Sequence, residues 1–224
     1  MKRTLIFLAL AAFATPVLVS AQSAMSSAEP FKLGTFEISG EGDARIGIVL
    51  RDELIVELNA ANQALERAPD YPAIPMPADM RELISRYEYG LKYRLYEIVN
   101  SVVNNNRLTG RDRADFVHDV DDIRTLAPLV PRKMLNAAVN FYSHVQESGT
   151  TREEQAAAAA QRRAQRGIPY LFIKPTEGAV IGQGDAVVLP YGRTRIDWEV
   201  ELATVIGRTA KYVSAEDAED YIFG

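Results

Sequence analysis

The sequence contains no cysteine and only two histidines, His118 and His144. The absence of cysteine excludes disulfides, zinc fingers, iron–sulfur clusters and thiol nucleophiles. With only two imidazoles, a metal site built on several histidines is excluded as well, so any metal site must depend on carboxylates. The formal net charge of −5 argues against a nucleic-acid-binding protein that relies on attraction to phosphates. We therefore expect no nucleic-acid partner.

Long apolar runs are absent beyond the first 21 residues, so we expect no transmembrane helix in the body of the chain. At the start, Lys2 and Arg3 precede an apolar stretch that ends in Val-Ser-Ala at Ala21. A basic segment, a short apolar segment and small residues at a cleavage site are typical of a secretory signal peptide, and the alternative is an uncleaved anchor. The pattern predicts a signal peptide over residues 1–21, cleavage after Ala21, a secreted or periplasmic protein and no membrane partner after cleavage.

The length of 224 residues allows one large domain or two small ones. Residues 22–30 are small and polar and are interpreted as a linker. Runs rich in β-branched residues predict three strands, and helical spacing then predicts two helices, the second with a break at Gly90. The strands are residues 33–38, 45–50 and 54–58, and the helices are residues 59–67 and 79–105. We interpret residues 31–125 as an N-terminal accessory domain.

The second half of the sequence has a different character. Thr151 and Glu154 form a capping box before a helix that extends to Arg166. Because that helix has little apolar face, we expect it to lie on the surface as a lid or connector. Ser214 is a second cap signal, which predicts a final helix. Strands are predicted over residues 133–139, 170–174, 186–189 and 194–206.

The predicted strand over residues 194–206 carries alternating acidic and apolar side chains. Asp197, Glu199 and Glu201 would share one face, while Trp198 and the other apolar residues would share the opposite one. Neighbouring carboxylates on that face would lie ~7 Å apart. At that distance they repel each other by about 2 kcal/mol at an effective dielectric constant of 20. A solvated sheet face tolerates this repulsion, whereas Mg²⁺ or Ca²⁺ would convert it into chelation, and the spacing leaves both interpretations open.

Two further groups are candidates for chemistry. If residues 143–147 form a helical turn, His144 and Glu147 lie on one face, where the carboxylate would orient the imidazole as a general base requires. An ordinary surface pair is the alternative. Lys174 follows an apolar strand and could neutralise an anionic substrate or simply extend into solvent.

The order and spacing of several segments resemble the fumarylacetoacetate hydrolase family. These segments are residues 126–131, 140–144 with Glu147, 172–175, 180–185, 197–203, 205–208 and 213–218. The resemblance implies an α+β fold, in which a mixed β-roll or β-sandwich catalytic domain with short helices covers residues 126–224 and follows the β-rich and helical N-terminal region. It also allows a homodimer.

The resemblance implies a site as well. Glu199 and Glu201 would bind a divalent metal, Mg²⁺ first, with Mn²⁺ or Ca²⁺ as alternatives. His144 and Glu147 would activate water, and Lys174 would line the substrate pocket. The implied activity is hydrolysis of a carbon–carbon bond in a small oxo acid of the fumarylacetoacetate or acylpyruvate type. Isomerisation or decarboxylation of an oxo acid is the alternative within the family.

Family members continue beyond the position of Gly224 with a segment that carries an aspartate, the third metal ligand. We therefore expect the catalytic domain to be incomplete in this sequence. The competing hypothesis is a secreted binding protein that has kept the fold and lost the chemistry.

Overall fold

The computed structural model of the protein describes residues 25–38, 40, 42–138, 151–165 and 170–224. The predicted signal peptide over residues 1–21 lies outside these ranges, as do His144 and Glu147. Among the helices within them, none is both long enough and apolar enough to cross a membrane.

An antiparallel five-stranded sheet with the order β4-β3-β2-β1-β5 forms the base of the N-terminal region. Its strands are β1 (Phe31–Glu37), β2 (Ala44–Leu50), β3 (Leu54–Glu57), β4 (Val117–Asp119) and β5 (Arg124–Thr125). Gly34 and Gly47 face each other across β1 and β2, and the buried ring of Phe36 lies against both. A Cβ atom at Gly47 would lie 2.6 Å from Cγ2 of Ile55, so the close packing of this sheet requires glycine there.

Helices cover the sheet and complete the main core. They are α1 (Leu58–Leu65), α2 (Met80–Arg86) and α3 (Lys92–Asn104), with a kinked segment (Tyr87–Leu91) between α2 and α3. The predicted break at Gly90 is confirmed, because this residue has a φ of 108° in the kink. Ile48 and Val56 of the sheet and Leu95 of α3 are fully buried in the same apolar cluster. The three predicted N-terminal strands and both helices are thus confirmed in type and position.

The C-terminal region contains a two-stranded antiparallel sheet of β6 (Met134–Ala137) and β7 (Leu171–Lys174). Helix α4 (Arg152–Ala164) lies between these strands in the sequence. The predicted capping box is present, since the Thr151 N–H donates to Glu154 and the Glu154 N–H donates to the Thr151 hydroxyl. The predicted α+β class is confirmed.

Three predicted elements are wrong. Residues 186–189 and 194–205 form no strand, and within the described ranges the backbone pairs there only through an isolated bridge between Ile206 and Ile222. A strand requires a hydrogen-bonded neighbour, which a β-type sequence pattern does not supply. The predicted final helix is reduced to a 3₁₀ turn (Ala218–Tyr221), although Ser214 accepts a hydrogen bond from the Asp217 N–H as a cap would.

Two of the places where described residues of the C-terminal region contact the N-terminal core involve Arg124 and Tyr87. Arg124 of β5 donates to Asp185, whose other carboxylate oxygen accepts from the Gly182 N–H. At the second place the rings of Tyr87 and Phe223 meet edge to face, with their centroids 5.0 Å apart. These contacts join the sheet of the first region to the chain that carries the candidate site.

Candidate functional site

The pairing of β6 with β7 decides which side chains share one face of the small sheet. Met134 pairs with Lys174, and Asn136 pairs with Phe172. Because directly paired residues point to the same side, these four side chains lie on one face. Leu135 of β6 points to the opposite face and is 60% exposed, whereas Asn136 is only 9% exposed.

Glu199 and Glu201 both reach this face from the extended segment that contains them. The Asn136 Nδ2 donates to Glu201 Oε2 at 3.1 Å. The Lys174 Nζ lies 3.7 Å from Glu199 Oε2. The segment is not a strand, yet the hydrogen bond of Glu201 with Asn136 and the ion pair of Glu199 with Lys174 bring both glutamates to the two-stranded sheet of β6 and β7. Trp198, Val200 and Leu202, which alternate with the glutamates, are 81–88% exposed, so the buried apolar strand face expected for them is absent.

The positive charge of Lys174 balances the negative charge of Glu199. The side chains of Lys174 and Glu199 are 44% and 61% exposed, so water screens their attraction. The Lys174 Nζ also lies 5.7 Å from the centroid of the Phe172 ring, which supports the aliphatic part of the lysine against β7. The carboxylate of Asp197 accepts a hydrogen bond from the next N–H, that of Trp198.

Asn136 is the site residue that the sequence analysis missed. The available signal was a polar amide within the apolar run Met134-Leu-Asn-Ala137, where asparagine is disfavoured in strands. Its Oδ1 is buried and has no hydrogen-bond partner among the described residues. A buried polar atom without a partner is uncommon and calls for an explanation.

The donor chemistry of this cluster fits a hard divalent cation. Carboxylate oxygens, such as those of Glu199 and Glu201, are ligands that Mg²⁺ and Ca²⁺ prefer. In the described part of the chain, no group of three or more histidine, cysteine, aspartate or glutamate side chains is arranged to hold a metal ion. Among the described residues, Glu199 and Glu201 would therefore supply only part of a ligand set. The predicted dyad of His144 and Glu147 lies outside the described residues.

Comparison with known proteins assigns the part of the chain that contains this cluster to a family. Residues 133–224 match the model of the fumarylacetoacetate (FAA) hydrolase C-terminal domain. All four residues of the cluster, Asn136, Lys174, Glu199 and Glu201, lie inside the matched range.

Individual relatives agree with this match. A fumarylacetoacetate hydrolase domain-containing protein 2 homolog of Dictyostelium discoideum is 25% identical over 185 residues, which are 83% of this chain and 48% of the relative. The mitochondrial oxaloacetate tautomerase fahd2 of Xenopus laevis is 26% identical over 201 residues, 89% of this chain and 51% of the relative. An uncharacterized protein of Pyrococcus abyssi is 39% identical over 94 residues, 42% of this chain and 36% of the relative. The chain thus spans about half or less of the length of these relatives.

Proposed function

We propose, since residues 133–224 belong to the fumarylacetoacetate hydrolase family, that the protein is a metal-dependent enzyme that cleaves a carbon–carbon bond in a small oxo acid. The observation that carries the proposal is the convergence of Glu199, Glu201 and Lys174 on one face of the β6–β7 sheet. A 2-oxo acid has oxygens that bind a divalent cation and a carboxylate that attracts an ammonium group. The cluster offers partners for both.

In this proposal each residue has a separate task. Glu199 and Glu201 would hold the cation, Mg²⁺ first and Mn²⁺ or Ca²⁺ as alternatives, which when bound polarises the 2-oxo carbonyl and stabilises negative charge on the leaving group. Lys174 binds the substrate carboxylate. His144, oriented by Glu147, takes a proton from water, and the resulting hydroxide adds to the distal carbonyl carbon. The bond to the pyruvate-type group then breaks, and that group leaves as an enolate that is protonated. We place these groups on a β-roll catalytic domain.

Cleavage of an acylpyruvate in the presence of Mg²⁺ or Mn²⁺ tests the proposal. We expect turnover that requires the metal and falls by about 100-fold or more in Glu199→Ala, because the cation contributes several kcal/mol to the transition state. Glu219→Ala is the matched control, since this glutamate is exposed and does not belong to the cluster around Lys174. Wild-type rates in Glu199→Ala, or binding of the oxo acid with no turnover, would contradict the proposal, and the second result would favour the binding-protein hypothesis.

Tautomerisation of an oxo acid is a second candidate. It is favoured by one observation, the alignment of the Xenopus oxaloacetate tautomerase over 89% of this chain. Keto–enol exchange needs the proton transfer at carbon but no attack by water. Following the loss of oxaloacetate enol absorbance separates the two activities, since a tautomerase accelerates that loss and leaves acylpyruvates intact.

The proposal extends to the location and partners of the protein. We propose a secreted or periplasmic protein that is cleaved after Ala21, binds a small oxo acid, binds neither nucleic acid nor membrane after cleavage, and is able to form a homodimer. Determination of the N-terminal residue of the exported protein tests the cleavage, with Gln22 expected. Retention of Met1 or an N-terminus elsewhere would contradict it.

A further inference from the structure

The burial pattern of β6 is the reverse of what apolar packing would produce. Leu135 is 60% exposed, while Asn136, its neighbour, is 9% exposed. Strands that bury one face ordinarily turn the apolar residue inward and the amide outward. Packing therefore does not explain why an asparagine occupies the inward position.

The hydrogen bonds of the Asn136 amide define its orientation. A carboxylate oxygen only accepts hydrogen bonds, so the nitrogen of the amide must face Glu201 Oε2, 3.1 Å away. Oδ1 is then buried without a partner among the described residues. A leucine or valine at this position would avoid that desolvation cost, but it could not donate to Glu201.

The hydrogen bond from the Asn136 amide orients Glu201, whose backbone is not fixed by a sheet. The described residues 194–205 form no hydrogen-bonded ladder, so their side chains are not oriented as they would be on a strand. Among the described residues, Glu199 pairs with Lys174, and that contact is exposed and screened. The amide of Asn136 is buried on a strand and is thus the more rigid of the two anchors.

We propose that Asn136 is a positioning residue for cation binding. Its N–H holds one oxygen of Glu201 and leaves the other oxygen for the cation shared with Glu199. The inference rests on the proposed function and adds to it a residue that acts through Glu201. Partners that orient a ligating carboxylate in this way have a large effect on metal affinity.

Mn²⁺ affinity of the full chain tests the inference without relying on turnover. The free Mn²⁺ signal in electron paramagnetic resonance gives the dissociation constant. We expect Asn136→Ala to bind Mn²⁺ about 10–100-fold more weakly than the wild type. Asn59→Ala, a change at an exposed asparagine of α1, is the matched control and should bind as the wild type does.

Two further variants separate a positioning role from other roles. Asn136→Asp keeps the size of the side chain but has no N–H, so we expect a loss at least as large as that of Asn136→Ala. Unchanged or tighter binding in Asn136→Asp would show that the side chain acts as an oxygen ligand and would overturn the inference. In a double-mutant cycle, the effect of Asn136→Ala should disappear in a Glu201→Met background, where the side chain cannot accept the hydrogen bond. A merely structural role would give the same loss in both backgrounds.

A measurement on the unchanged Asn136 covers the case in which its variants fold poorly. The side-chain amide of Asn136 should show faster hydrogen exchange in Glu201→Met than in the wild type, because methionine offers no oxygen acceptor, while Glu199→Met leaves it unchanged. Equal exchange in all three proteins overturns the inference. Equal Mn²⁺ affinity in the wild type and Asn136→Ala overturns the inference and leaves the proposed function standing, whereas absence of Mn²⁺ binding in the wild type overturns both.

Discussion

Lys174 lies on the β6–β7 sheet, where Glu199 and the substrate carboxylate would compete for its ammonium group. In the structure its ammonium group is paired with Glu199, at 3.7 Å between Nζ and Oε2. In the proposed reaction it binds the carboxylate of the substrate, and Glu199 binds the cation. In this proposal the lysine would neutralise Glu199 before a cation binds and would become available to the substrate afterwards.

Lys174→Met separates these two tasks. An exposed ion pair contributes about 0.2–1 kcal/mol, so its loss should tighten Mn²⁺ binding by no more than about fivefold. The KM for an anionic oxo acid should rise by about tenfold, because the positive partner of its carboxylate is lost. Mn²⁺ titration and steady-state kinetics measure the two effects, with Lys133→Met as the control. An unchanged KM would remove Lys174 from the substrate site.

At the level of elements, the sequence predicts those whose neighbours lie close in the chain. Strands β1, β2 and β3 follow one another closely in the chain, and α2 and α3 have a helical spacing of apolar residues that can be read locally. The capping box before α4 is predicted for the same reason. Each of these elements is confirmed.

Elements that need a distant partner are not predictable in this way. The alternation around Glu199 is typical of a strand, but in the described residues no neighbouring strand completes a ladder there. Asn136 and Glu201 are 65 residues apart in the sequence. Their contact depends on how the later segment packs against the sheet of β6 and β7. Periodicity contains no information about such a contact. The sequence pattern was sufficient to predict the two glutamates as site residues. It was not sufficient to predict the role of Asn136 or the ion pair of Lys174.

Helix α2 depends on the carboxylate of Asp79. This N-cap accepts a hydrogen bond from the Glu82 N–H at 2.9 Å, and that backbone contact, followed by the side chain of Arg81, lowers the pKa of Asp79 below its ordinary value of 3.8. Because the pKa is lower in the folded state, the charged carboxylate stabilises the fold above the ordinary pKa. That stabilisation is lost as the pH falls through the lowered value.

Asp79→Ala should destabilise the protein by about 1 kcal/mol at pH 7 through the loss of this cap. The difference from the wild type should shrink as the pH falls below 3.8. Asp79→Asn keeps a capping oxygen and should retain most of the stability at pH 7. Urea unfolding at several pH values measures these differences, and equal stabilities of Asp79→Ala and the wild type at pH 7 would contradict the role of the cap.

At the level of the whole molecule, Arg124 links the two parts of the chain. Its guanidinium donates to Glu37 of the main sheet and to Asp185 of the C-terminal region. The Arg124 contact, followed by the N–H of Gly182, holds the pKa of Asp185 below its usual range. Gly182 in turn lies so close to the backbone of residues 126 and 127 that a Cβ atom there would approach it to 2.9 Å.

Arg124→Ala should loosen the C-terminal region while leaving the main core intact. We expect faster hydrogen exchange over residues 180–185 and unchanged protection in β2 and α3, because the core does not depend on this exposed arginine. Arg111→Ala, a change at another exposed arginine, should leave both regions unchanged. Faster exchange throughout the sheet would contradict this division of the molecule.

The central claim is that Glu199 and Glu201 act together on one divalent cation. Its most direct measurement is a Mn²⁺ titration followed by the fluorescence of Trp198, which is the only tryptophan of the chain and adjoins Glu199. The account predicts that the signal saturates for the wild type and for Glu219→Gln. Glu199→Gln and Glu201→Gln should each bind at least about tenfold more weakly, the loss expected when one charged ligand is removed. Equal titrations for all four proteins, or no change on adding Mn²⁺ to the wild type, would contradict it.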